Sequence, residues 1–299
     1  AATTSDTTAS GSAVTVENTG SGDTSIAVPS DAANYMDLSS LTTFADSLMK
    51  TADLKQYRIT GTINANMSII GIPINANIPM DFRLKLNADN TVQSAYINLD
   101  VPYFIGVLQQ DMTAKVYYED GVLYFDRNWE TSTGALWWKE YYDHHEYMKC
   151  TIDEFMANPM KYVYFCTNFT SMVENAINDA IAKSDQKAVR TGNIMFEEAL
   201  TGFHYNGSNQ WNINLDAAHL INNSDFSDQM SITVGKSSNG ILNSISLSTR
   251  VLDMINLQLN NGQLVNSDKS NVDMSVIPTG LSSNPNYVFG EVKVVETKK

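Results

Sequence analysis

The sequence predicts an α+β fold in which a large antiparallel β-sheet curls into a half-barrel and helices pack on its concave face. Apolar and polar side chains alternate strictly over residues 57–69 and again over residues 74–86. Such alternation is typical of long strands with one buried face. At ~3.3 Å per residue each strand would reach about 40 Å, so we expect the sheet to curl around whatever covers that face. Two segments with helical periodicity, residues 37–54 and 158–183, would supply the cover.

The elements of the first half follow in order along the chain. Apolar residues at helical spacing predict a helix over residues 37–54. The two long strands would meet at a turn over residues 71–73. The dipeptide Asp120-Gly121 suits a tight type I′ turn and predicts a hairpin around it. Further strands are predicted at residues 91–101, 115–119 and 122–126.

The second half begins with helices and returns to strands. Thr151 and Glu154 form a capping-box pattern at a helix start. Asn158 and Pro159 suit the cap and first position of a longer helix that would run to residue 183. A short helical turn is predicted over residues 216–222. Strands are predicted at residues 203–205, 211–215, 230–234, 241–251, 254–259, 272–277 and 287–295, with turns at Asn206-Gly207, Asn239-Gly240 and Asn261-Gly262.

The chain divides by composition into a tail and one domain. Residues 1–34 are rich in Ser, Thr, Ala, Gly and Asp and contain no aromatic residue, so they cannot bury enough surface to offset the entropy of ordering. We expect a flexible tether of the kind that follows the lipidated cysteine of bacterial surface lipoproteins, or else a disordered terminus of another kind of protein. Residues 35–299 would form a single domain of two similar halves, residues 35–145 and 146–299, each with helices followed by hairpins.

Charge and hydrophobicity exclude several classes of partner. The chain has 299 residues, 43% of them hydrophobic, and a formal net charge of −14. This charge would repel a phosphate backbone, so we expect no nucleic-acid partner. No stretch approaches eighteen consecutive apolar residues, the length needed for a transmembrane helix. Any contact with a membrane is therefore expected to come through the N-terminal tether.

Motifs for catalysis and metal binding are weak. No nucleophile-elbow, zincin, P-loop or dinucleotide-binding pattern occurs. His144, His145 and Glu146 offer metal-ligand chemistry, but adjacent histidines rarely face one ion. Among 33 acidic residues, chance pairs are expected. Carboxylates that would suit acid–base hydrolysis are Asp143, Glu146, Asp153, Glu154, Glu197 and Glu198. We expect no enzyme, no cofactor and no metal.

Two cysteines, Cys150 and Cys166, are present. Their spacing fits neither a redox pair nor a zinc site. In an exported protein they would form one disulfide, and otherwise they would be small core residues. The sequence leaves both alternatives open.

The order of elements resembles the lipoprotein-carrier fold of the LolA and LppX type. The resemblance rests on the plan between residues 38 and 295, on the alternation at residues 57–69 and 74–86, and on the hairpin of residues 230–251. It implies an unclosed barrel whose concave apolar face, lidded by helices, holds acyl chains or another apolar ligand. The second block of helices could instead fill that cavity with its own side chains.

We therefore expect an extracytoplasmic protein, anchored at the outer face of a bacterial membrane or secreted, that binds a lipid or another apolar small molecule without catalysis. The residues predicted to face the ligand are Ile63, Met67, Met80, Phe82, Trp137, Trp138, Phe169 and Val173. A cell-surface interaction or structural module with a filled core is the first alternative. In that case the aromatic segment of residues 137–147 would carry recognition. A metal-assisted or acid–base hydrolase is the second.

Overall fold

The computed structural model describes residues 40–69, 72–102, 111–135, 137–167, 169, 171–185, 200–207, 209–216, 229–251, 255–264 and 272–299. The predictions that concern residues 1–34, residues 217–222, Glu197 and Glu198 lie outside these ranges.

Within these ranges the fold is a large antiparallel sheet of twelve strands with a few helices, and the sheet is not closed. The strands are β1 (Gln56–Ile69), β2 (Ile72–Leu86), β3 (Val92–Val101), β4 (Met112–Glu119), β5 (Val122–Thr133), β6 (Glu140–Thr151), β7 (Leu200–Tyr205), β8 (Gln210–Asp216), β9 (Gln229–Lys236), β10 (Leu242–Val251), β11 (Ile255–Leu264) and β12 (Lys293–Lys298). Their order across the sheet is β12-β6-β5-β4-β3-β2-β1-β11-β10-β9-β8-β7. Two meanders, β1–β6 and β7–β11, are thus joined where β1 pairs with β11.

The helices are α1 (Leu41–Ala52), α2 (Ile152–Ala157), α3 (Pro159–Thr167) and α4 (Ser171–Asp185). The predicted capping box is present at the start of α2, where the Thr151 hydroxyl accepts from the Glu154 N–H and the Glu154 carboxylate accepts from the Thr151 N–H. Within the described ranges, none of the helices combines the length and the apolar composition needed to cross a bilayer.

Several predicted elements differ from the structure. The helix predicted over residues 158–183 is two helices, α3 and α4, and strand β6 was not predicted. Residues 272–277 form turns and irregular structure, and the last strand begins at Lys293. Asn261-Gly262 lies inside strand β11, where the register is irregular, and does not end it.

The main hydrophobic core lies between strands β1–β6 and helices α3 and α4. Phe125 of β5 stacks on Tyr162 of α3 with ring centroids 5.1 Å apart. Val173 and Ile177 add the apolar stripe of α4. The same buried cluster contains Ala65, Met67, Ile74, Ala76, Ile78, Val101, Met112, Ala114, Met148, Cys150, Phe165 and Cys166.

A second core joins helix α1 to the other meander. Phe44 of α1 contacts Phe203 and the fully buried Trp211, with ring centroids 5.4 and 5.1 Å apart. The Thr51 hydroxyl at the end of α1 accepts a hydrogen bond of 2.9 Å from the buried N–H of Leu242 in β10. Helix α1 is therefore fixed to this meander by both apolar and polar contacts.

The opposite face of β3–β6 is covered by the segment that precedes β12. Tyr287 from this segment packs edge-on against Tyr124 and Tyr147, each 5.2 Å away between centroids. Leu281 is buried with it, and the main chain of residues 288–290 bonds to Lys149 of β6. The outer strands of the first meander thus carry protein on both faces.

Candidate functional site

The candidate site is a group of half-buried apolar side chains on the central strands, on the face that carries the helices. Ile78 belongs to the main core, and Met80 and Phe82 follow it at two-residue steps on the same face of β2. Directly opposite Phe82 in the register lie Ile59 of β1 and Ile97 of β3. Leu259 of β11 and Leu247 of β10 continue this face across the join between the meanders. We call Ile59, Met80, Phe82, Ile97, Leu247 and Leu259 the central patch.

Two glycines shape the sheet at the central patch. Gly61 lies between Ile59 and Ile63, and a Cβ there would be 3.0 Å from Leu259 Cδ1 and 3.1 Å from a main-chain oxygen. A Cβ on Gly262 would approach the carbonyl oxygen of Ile245 to 2.2 Å. The β1–β11 and β10–β11 registers both shift at this level. Strand glycines and bulges of this kind mark bends and close backbone approach.

The predicted ligand-facing residues separate into three groups. Met67 (5% exposed) and Val173 (0%) belong to the closed main core, and Ile63 and Phe169 pack against it. Met80 and Phe82 are half-buried members of the central patch.

The third group is the pair Trp137 and Trp138. They are 87% and 73% exposed, at the turn between β5 and β6. These two indoles therefore lie on a surface turn, apart from the buried residues of the main core.

Sequence reasoning did not identify a cleft of about 330 Å³ at the edge of the main core. It is lined by Arg127, Met148, Lys161, Tyr164, Phe165, Glu174 and Val292. The Arg127 guanidinium is bonded to Glu146 and donates to the carbonyl of Phe165 at 2.9 Å. Lys161 donates to the carbonyl of Gly290 at 3.0 Å. The Arg127 bond fastens the end of α3 to β5, and the Lys161 bond joins α3 to the C-terminal segment. These are structural roles that only the fold reveals.

Cys150 and Cys166 are free, buried thiols in the structure. Burial raises the pKa of the Cys150 thiol, with an opposing hydrogen bond from Tyr162. Burial raises the pKa of the Cys166 thiol to about 12, against the charge of Arg127. Thiols held protonated in this way are poor nucleophiles, so their arrangement is that of core residues.

His144 and His145 are neighbours on β6, so their side chains point to opposite faces of the sheet. The His144 ring stacks on Trp129 and lies 3.2 Å from Glu296. The His145 ring lies 3.5 Å from Asp126, whose pKa is raised by burial against the effects of His145 and Lys115. The residues that the structure describes include no group of three His, Cys, Asp or Glu side chains able to hold a metal ion.

Several of the described carboxylates that could serve acid–base hydrolysis already form ion pairs or hydrogen bonds with neighbouring groups. Glu146 is paired with Arg127, and Glu154 completes the capping box. Asp143 lies 2.8 Å from the ammonium of Lys299. Asp153 lies in the first turn of α2, where an acidic side chain favours the helix dipole.

Comparisons with known proteins do not assign this chain to a family. No protein-family model matches the chain, and a search of curated proteins finds no relative with significant similarity. The residues and contacts of the chain itself are therefore the basis for its proposed function.

Proposed function

We propose that this protein binds an apolar ligand, such as a lipid or acyl chain, on the helix-facing side of its sheet, without catalysis. The observation that carries the proposal is the central patch. Six apolar side chains on adjoining strands are only half-buried, although they share a face with two closed cores. A contiguous group of apolar side chains that the protein's own helices leave partly uncovered is a candidate binding surface.

Curling of the sheet supports this function. We propose that the sheet bends into a half-barrel at the level of Gly61 and Gly262, with the helices on the concave side. The register shifts in three successive strands, β1, β11 and β10, favour such a bend. The central patch would then line the concave side between helix α1 and helices α3 and α4, as in the LolA-like arrangement.

The proposed location is extracytoplasmic, at the outer face of a bacterial membrane or secreted. It rests on the tether-like composition of residues 1–34, which would hold the domain near a membrane. An apolar ligand taken from or delivered to a membrane is consistent with such a location.

A filled-core surface module is the second candidate, because Met67 and Val173 lie in a closed core with Ile63 and Phe169 against it. Native mass spectrometry of protein purified from a bacterial host separates the two candidates. A discrete adduct of lipid size, lost on denaturation and recovered by organic extraction, would support ligand binding. A mass equal to that of the bare chain, with no uptake of a lipophilic fluorescent probe, would contradict it and favour the surface module.

A further inference from the structure

The β5–β6 hairpin extends beyond the neighbouring strand of the sheet. The pairing of β4 with β5 ends at Thr113 and Asn128, whereas β5 and β6 stay paired as far as Thr133 and Glu140. At ~3.3 Å per residue these five further residues extend about 17 Å past the last β4 pair. We call residues 129–144 the hairpin arm.

The hairpin arm is stiffened along its length and at its tip. Trp129 and His144 stack across it with centroids 5.4 Å apart, and β12 pairs with its β6 side as far as Tyr142. At the tip, Gly134 has a φ of 102°, and a Cβ there would lie 2.0 Å from the carbonyl oxygen of Trp138. The turn therefore needs glycine, and its fixed shape presents Trp137 and Trp138 outward.

The charge around the arm is nearly balanced, unlike that of the chain. The arm itself contains one lysine and three acidic residues, and the adjoining residues 296–299 add two lysines and one acidic residue. Together these groups carry a formal charge of −1, against −14 for the whole protein. Most of these groups are paired, for example Lys298 with Glu140 and Lys299 with Asp143. The charged residues are Glu130, Lys139, Glu140, Asp143, Glu296, Lys298 and Lys299.

We propose that the tip of the hairpin arm inserts Trp137 and Trp138 into the interface of a zwitterionic lipid bilayer. An indole has an apolar ring and one N–H donor, and tryptophan is enriched at the level of lipid headgroups for this reason. A stable protein partner would need about 800 Å² of buried surface on each side. The six residues of the tip, 134–139, cannot provide this area alone. A bilayer accepts single side chains, and the near-neutral arm is not repelled from a surface without net charge.

Sedimentation with sucrose-loaded phosphatidylcholine vesicles tests this proposal independently of any bound ligand. Wild-type protein should sediment with the vesicles, and its tryptophan emission should shift to shorter wavelength. The double variant Trp137→Ala/Trp138→Ala should lose at least tenfold in partitioning. Met156→Ala, which removes another exposed apolar side chain (70% exposed, on α2), is the matched control and should bind like wild type.

Three results would overturn the proposal. The first is failure of wild-type protein to sediment with phosphatidylcholine vesicles. This result would overturn the proposal even if the tip were found to bind a protein. Another is equal sedimentation of the double variant. A third is binding that appears only when phosphatidylglycerol is added, since the near-neutral arm predicts no need for anionic lipid. Because both indoles are exposed, thermal unfolding of the double variant should match wild type, which shows that any loss is local.

Discussion

Strands β4–β6 carry helices α3 and α4 on one face, and the segment before β12, which contains Tyr287, on the other. Within the described ranges, strands β7–β9 have the core around helix α1 on one face only. The second face of β8 and β9 carries polar pairs instead, such as Ser231 with Asn214 and Thr233 with Asn212. One continuous sheet is therefore covered in two different ways. Strands β4–β6 form a filled core with cover on both faces, whereas the central patch lies on the central strands β1–β3, β10 and β11.

The largest expected effect compares the two cores directly. Phe125→Ala and Trp211→Ala each remove a nearly fully buried aromatic ring and should destabilise the protein by about 3–5 kcal/mol. Because the strands form one sheet, we expect both variants to shift one shared transition in urea, followed by circular dichroism. A second, separate transition in the Trp211→Ala variant would show that the two meanders unfold independently.

The second prediction concerns the face of β2 opposite Met80 and Phe82, behind the central patch. The Asp81 carboxylate accepts bonds from Arg83 and Arg58, and Arg83 also donates to the carbonyl of Asp273 at 2.6 Å. Burial alone would raise the pKa of Asp81, but the bonds from Arg83 and Arg58 outweigh burial and lower it below its ordinary value of 3.8. A lowered pKa means that this stabilisation is complete above the ordinary pKa and is lost as pH falls through the folded-state value.

We therefore expect Asp81→Asn to cost about 2 kcal/mol at pH 7, the range of a hydrogen bond to a charged group. The difference from wild type should shrink as the pH falls below about 4. Urea denaturation at several pH values measures this. A difference that stays constant from pH 7 to pH 3 would contradict the account.

The third prediction tests the contact of α1 with the second meander. Thr51→Val keeps the shape of the side chain but leaves the buried N–H of Leu242 without its acceptor, at a cost of about 1–2 kcal/mol. Thr167→Val is the matched control, since its hydroxyl donates to the carbonyl of Val163 within α3 at an exposed site. Equal, small losses in both variants would mean that the α1–β10 bond contributes little.

The smallest effect is expected at the start of α2. Thr151→Ala removes the side-chain half of the capping box and should cost about 1 kcal/mol, whereas Thr151→Ser should retain most of the stability. Thermal unfolding of the two variants measures this difference. An Ala variant as stable as the Ser variant would show that the cap is dispensable.

The sequence predicts strands well where one face is covered. Strands β1 and β2 show strict alternation because one of their faces is apolar, and Asp120-Gly121 lies at the predicted hairpin turn. Strand β6 carries no such pattern, because Tyr147 contacts the segment on the second face while Met148 enters the main core. A strand that is covered on both faces has no solvent-facing polar side, so its sequence lacks the apolar–polar alternation by which a strand is recognised.

The strand predicted over residues 272–277 is wrong for a related reason. Val276 and Ile277 both pack against the tyrosines of the second face, although the segment is not a strand. The candidate site was predicted in part. Periodicity places Met80 and Phe82 on the same face as Met67, but which residues the helices close over depends on contacts far apart in sequence.

The most direct test of ligand binding in the central patch is titration with a fluorescent long-chain fatty acid. Wild-type protein should bind the probe, and Met80→Glu should weaken binding at least tenfold because it places a charge in the patch. Met156→Glu, which adds the same charge at an exposed position on α2, should bind like wild type. No binding by wild-type protein, or equal binding by Met80→Glu, would contradict the claim that the central patch holds an apolar ligand.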